Sequence, residues 1–137
     1  MSNNLRPTAK IDEHGEILSV NQDYLTILGY QKESDMVGHK IAEFRSASFP
    51  PAIQEDIVRI ISSNHPYTGF TIEKTASGQE IYLAMTLIPL GQSIYKGYTA
   101  IKRALSPIEI SQIKARMDSL AKGHSVINNG VIKTSFT

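Results

Sequence analysis

The sequence predicts an α+β domain built on an antiparallel sheet, and three observations carry that prediction. Two short stretches with strand patterning flank a turn near the start, three longer ones at hairpin-length spacing fill the second half, and helical periodicity lies between and after them. At 137 residues the chain is long enough for one domain with a real core and too short for two. The predicted order is β-β-α-α-α-β-β-β-α.

Each element has its own reason. Ile11, a Glu13-His14-Gly15 turn and Ile17-Leu18-Ser19-Val20 read as the first two strands. Asn21 is placed to cap a short helix whose apolar face is Tyr24, Leu25, Ile27 and Leu28, and Gly29 suits the left-handed residue that ends it. After "QKESDMVGHK" a further short helical piece is expected around Ile41 to Arg45. "FPPAIQEDIVRIISSN" sets Ile53, Ile57, Ile60 and Ile61 on one helical face, with Pro50 and Pro51 near its start. "YTGFTIEKTA" and "EIYLAMTLIPL" are strands joined by the turn "SGQ", with Pro89 near the end of the second. In "GYTAIKRALSPIEI", Tyr98, Ala100 and Lys102 alternate with Thr99, Ile101 and Arg103 as on a two-faced strand.

That strand passes into a helix with only Ala104 and Leu105 between. Ser106 as N-cap, Pro107 in the first helical position and Glu109 returning the bond form a helix-start signal. The helix runs to about Lys122, with Ile110, Ile113, Met117 and Leu120 along one seam; packing on its own domain and pairing with a second copy are equally compatible with so short a seam. "GHSVINNGVIKTSFT" carries Gly and Asn without periodicity and reads as a loosely held tail. The organisation is a flexible start at 1–8, a domain at 9–105, a connecting helix at 106–123 and a loose tail at 124–137.

Composition narrows the function. A net charge of +1 with scattered Lys and Arg implies no nucleic-acid footprint. No run approaches the roughly 18 apolar residues of a membrane span, and the N-terminus lacks the apolar centre of a signal peptide, so a cytoplasmic location is expected. Zero cysteines exclude disulfides, Cys-based metal sites and thiol chemistry, including light sensing through a flavin–thiol adduct. No nucleophile–base arrangement or phosphate-cradling loop stands out, so no catalytic residue is assigned and an enzyme is not expected.

The residues resemble the PAS domain family. Asp12, Gly15, Ile17, Asn21, Tyr24, Gly29 and Tyr30 match its "D..G.I...N..Y....GY" pattern, and Gly38 closes the "VG" that follows. "PYTGFTIEKTASGQEIYLAMTLIPL" with "GYTAIKRALSPIEI" is similar to the type found in bacterial aerotaxis receptors and methyl-accepting chemotaxis transducers. The resemblance covers about residues 9 to 130. It implies a five-stranded antiparallel sheet with helices on one face, a small-molecule pocket between them, a C-terminal helix, and a sensor that relays to the downstream signalling region of the same receptor, as a homodimer.

For the pocket, the resemblance implies Arg45, Phe49, Ile57, Tyr67, Phe70 and Tyr82 as the ligand- or cofactor-binding residues. Arg45 would face a cofactor or anionic ligand, the alternative being an exposed Arg closing a short helix. Tyr67, Phe70 and Tyr82 would stack on a planar ligand, the alternative being core aromatics. FAD is the cofactor implied, but where flavin-binding members carry Arg-His-Pro-Asp-Met-Pro this chain has Arg45-Ser46-Ala47-Ser48-Phe49-Pro50. A different small molecule, or an interaction and dimerisation module without ligand, are the alternatives. Haem is disfavoured, since His14, His39, His65 and His124 sit in turns, at helix boundaries or in the tail.

Overall fold

The computed structural model describes residues 4–134. Strands β1 (Thr8–Ile11) and β2 (Ile17–Val20) form the first hairpin, followed by helix α1 (Gln22–Leu28). Two 3-10 turns, Glu33–Asp35 and Ile41–Phe44, lead to α2 (Pro51–Ser62). Strands β3 (Tyr67–Lys74), β4 (Glu80–Pro89) and β5 (Tyr98–Ala104) precede α3 (Pro107–Ala121). The sheet is antiparallel in the order β2-β1-β5-β4-β3, which places β5 at its centre.

Local chemistry explains the junctions. Asn21 Oδ1 accepts from the Tyr24 amide at 3.0 Å to start α1 and from the Thr8 amide at 2.9 Å, so one side chain caps the helix and anchors β1. Gly29 ends the helix at φ +80°, a left-handed conformation that costs glycine little. At α3 the predicted capping box is present, with Ser106 Oγ accepting from the Glu109 amide and Glu109 from the Ser106 amide.

Register sorts the strand residues onto two faces. Tyr67, Thr71 and Glu73 share the inner face with Leu83, Met85, Leu87, Ala100 and Lys102, because paired residues across an antiparallel sheet point the same way. That face packs under α1, the 3-10 turns and α2, where Ile53, Ile57 and Ile61 are buried as their spacing predicts. Thr68, Phe70, Tyr82, Ala84, Ile101 and Arg103 point to the outer face. Helix α3 lies on this outer side, with no fully buried residue and with Met117 and Leu120 resting against the core.

The expected loose tail is corrected by the structure. Ser125–Asn128 and Val131–Thr134 form a second hairpin, β6–β7, turning at Asn129-Gly130. It is held because Ile132 enters the core, the Gly130 amide donates to Asp56 Oδ2 at 2.8 Å and Arg59 Nη2 donates to Asn129 Oδ1 at 3.0 Å. Within the expected flexible start, Arg6 and Pro7 are tied to the domain: the Lys102 amide donates to Pro7 O and the Arg6 amide to Asp23. Residues 1–3 and 135–137 of those two predicted segments lie outside the described residues.

Candidate functional site

Between the inner sheet face and the helices lies a small closed cavity of about 30 Å³, bounded by Arg45, Gln54, Ile57, Tyr98, Glu73 and Lys102 among others. That is room for a water or two. Two of its lining residues, Glu73 and Lys102, belong to a buried polar triad completed by Tyr24. Lys102 Nζ donates to Glu73 Oε2 at 2.5 Å and to Tyr24 Oη at 2.6 Å, and Tyr24 Oη donates to Glu73 Oε1 at 2.7 Å. Lys102 and Glu73 are each 3% exposed and Tyr24 is fully buried. Each charge is tolerated there because its partner and the phenol satisfy it. The ammonium also sits 4.8 Å from the Tyr24 ring centre.

Beside the cavity lies an open groove of about 470 Å³ that shares Ile41, Arg45, Gln54, Ile57 and Tyr98 with it. The β1–β2 turn at Glu13-His14-Gly15, Lys40 and Tyr95 complete the mouth. Arg45 extends from the residue that ends the second 3-10 turn and forms an isolated backbone bridge with Glu73. No ion pair among the described residues involves it. Burial pushes the Tyr98 hydroxyl well above its ordinary pKa, with Tyr95 adding and Arg45 opposing. Burial does the same for Tyr24, reinforced by the Glu73 carboxylate. The site therefore presents phenols, a guanidinium outside any ion pair and a buried ion pair, with no metal-ligating cluster among the described residues.

Of the residues singled out from sequence, Arg45 and Ile57 line both the cavity and the groove. Phe49 is 4% exposed in the core, its ring edge-on to Phe70 at 5.4 Å. Tyr67 is on the inner face but committed elsewhere: its hydroxyl donates to Gly130 O at 2.7 Å, and a Cβ at Gly69 or Gly130 would run into its ring. Phe70 and Tyr82 point to the outer face, Phe70 into a groove beneath α3 and Tyr82 under the Lys114 ammonium at 5.5 Å. The two serines that replace His and Asp of the flavin-binding pattern, Ser46 and Ser48, donate to Glu80 and hold its carboxyl below the usual range.

The site-lining residues that sequence reasoning missed are Glu73 and Lys102. A signal was present. Lys102 continues the face of Tyr98 and Ala100, so a cation is aimed inward and requires a buried acceptor.

Comparison with known proteins agrees with this architecture. The PAS domain family profile matches residues 7–102. No curated protein matches the chain. Among solved structures, the PAS domain of an HTR-like protein from Haloarcula marismortui is 21% identical, with 76% of this chain and 84% of that one covered at a TM-score of 0.61. A LOV domain of a blue-light activated histidine kinase from Erythrobacter litoralis is 16% identical, covering 74% and 94% at 0.63. A light-oxygen-voltage domain studied with a flavin analogue is 14% identical, covering 85% and 90% at 0.71.

Proposed function

Because the chain belongs to the PAS domain family, we propose that it is a sensory module that takes a small anionic ligand in the groove behind Arg45 and relays its binding to α3. The observation that carries this reading is the unpaired Arg45 guanidinium at the junction of an open groove and a closed polar cavity. Lys40 adds a second cation at the mouth, against the single carboxylate of Glu13. Following the resemblance of the segment Gly97 to Ile110, the downstream partner is the signalling region of a bacterial chemotaxis transducer, with the domain working as a homodimer.

FAD is the cofactor that the resemblance brings forward. The closed cavity of about 30 Å³ cannot hold its three-ring system, and Tyr24, Glu73 and Lys102 occupy the space behind it. The open groove beside it is larger, but Ser46 and Ser48 are bonded to Glu80 and do not line it. A flavin–thiol adduct is excluded by the lack of cysteine. The ligand that fits best is therefore a compact one with a carboxylate or phosphate for Arg45.

The test is a thermal melt of residues 1–137 with succinate, inorganic phosphate and FAD, run beside Arg45→Ala. A ligand at a hundred times its Kd stabilises the fold by about 2.7 kcal/mol. The expected result is a rise in Tm with one of the two compact anions that Arg45→Ala abolishes. No rise with any of the three, or a rise that Arg45→Ala leaves intact, defeats the reading. The first of these outcomes favours an interaction module without ligand, for which the exposed Ile88 and Ile101 on the outer face and Ile108 at the start of α3, 71% exposed, supply apolar surface.

A further inference from the structure

The outer side of the sheet carries a second concavity, separate from the inner site. Helix α3 does not settle on the strands beneath it. Between them lies a groove of about 370 Å³, within the range of roughly 300–1,000 Å³ usual for small-molecule sites. Phe70 and Ala84 form its floor, Leu105 and Ile113 one side, and Ile132 of the β6–β7 hairpin the end wall. The hairpin, held to α2 through Asp56 and to Tyr67 through Gly130, fixes that end wall in place.

Charge in this groove is unbalanced. Arg103 donates through its two terminal nitrogens, Nη1 and Nη2, to the Glu109 carboxylate at 3.0 Å each, so that pair cancels. Arg116, two turns along α3 on the same face, also lines the groove and forms no ion pair among the described residues. An apolar trough with one uncompensated cation at its rim fits a ligand with an apolar body and a single negative end.

We propose that this groove is a binding site for an apolar monocarboxylate, its tail on Phe70, Ala84 and Ile113 and its carboxylate on Arg116. Such a ligand wedges between the sheet and α3 and so acts directly on the element that leaves the domain. It does so without using Arg45 or the inner cavity.

Decanoate is the probe, with decanol as its uncharged counterpart, and binding to residues 1–137 is followed by calorimetry and by amide NMR shifts. Decanoate should bind with shifts confined to α3, the facing residues of β3, β4 and β5 through Leu105, and the β6–β7 hairpin, decanol about tenfold or more weaker. Arg116→Ala should weaken decanoate by a similar factor and leave decanol unchanged, while Ala84→Leu, which fills the floor, should abolish binding of both. Circular dichroism confirms that each variant is folded, and Arg45→Ala should have no effect. Decanoate binding that Arg116→Ala does not weaken, that Arg45→Ala removes, or that fails to saturate overturns the proposal. So does a change in sedimentation mass of Ala84→Leu without decanoate binding to the parent, which would show that a second copy of the chain covers the groove.

Discussion

Replacing Lys102 by Met leaves a similar volume of side chain but strips Glu73 of the cation 2.5 Å away. Both groups are about 3% exposed, so water does not take the cation's place, and the small adjoining cavity admits only a molecule or two. Tyr24 still donates to Glu73 Oε1, yet one carboxylate oxygen loses its charged partner. Breaking a buried pair from one side costs about 3–5 kcal/mol, a large share of the roughly 5–15 kcal/mol that holds a domain together. Removing both charges together, Lys102→Met with Glu73→Leu, should cost far less, because no charge is stranded and the desolvation penalty disappears with the pair. Urea unfolding followed by circular dichroism measures both. With a slope of about 2 kcal/mol/M, the single change lowers the midpoint by about 2 M and the double change recovers most of it. A single variant within about 1 kcal/mol of the parent, the usual worth of a surface pair, would refute the argument, since it would mean that the pair is solvated and not part of a closed interior.

Three further outcomes follow from the same geometry. Tyr67→Phe removes the bond to Gly130 O and should cost about 1 kcal/mol, read as faster amide exchange across residues 125–134 with β1 and β2 unchanged; Gly130→Ala, which must hold φ +77° with a Cβ 2.6 Å from the Tyr67 ring, should loosen the same hairpin more. Burial raises Tyr24 and Tyr98 well above the ordinary tyrosine range and Tyr67 to about 12, so the fold keeps protons that the unfolded chain releases: stability is complete below pH 10 and falls above it, and phenolate absorbance of these three should appear together with unfolding. Glu109 is held down to about 2, first by Arg103 and then by the Ser106 amide, so its contribution is present above pH 4.5 and is lost as pH falls toward 2; Glu109→Gln should flatten that acid limb in a urea titration repeated across pH, and an unchanged limb would place the acid sensitivity elsewhere.

The elements were legible where one residue type has one physical use. Asn21, Gly29, Ser106 and Glu109 are capping chemistry and stand where they were expected. Ile53, Ile57 and Ile61 of α2 are buried at their helical spacing, and Ile60 is partly buried beside them. The hairpin at the end was misread because Gly and Asn density suggests loose chain, although Asn129-Gly130 between the pairs Val126-Ile127 and Val131-Ile132 is a strong hairpin signal. The site was legible in part. Arg45 and Ile57, brought forward by the resemblance, line the cavity and the groove, but the aromatic residues depend on register: Tyr67 is inward and Phe70 outward, and only the pairing with Leu87 and Ala84 decides which. Glu73 and Lys102 are 29 residues apart, and no local pattern joins them.

The abrupt passage from β5 to α3 acquires a meaning from two adjacent residues. Lys102 points inward to Glu73, whose backbone bridges to Arg45; Arg103 points outward and grips Glu109 in the first turn of α3. Successive residues on a strand cannot move independently, because one backbone carries both. The Leu105 amide is tied to Tyr82 O at 3.1 Å, so the short joint has no slack to absorb a displacement. Under the proposed function, a ligand that draws Arg45 toward the groove bears on Glu73 and hence on Lys102, and the same movement reaches Arg103 on the other face. The contacts differ in kind, however. The inner link is buried and rigid, whereas the outer pair is 45% and 37% exposed and can part at little cost. A shift at the inner site is therefore resolved at the weaker link, by release of α3 from the sheet, and a ligand wedged under α3 pushes the same joint from the opposite side.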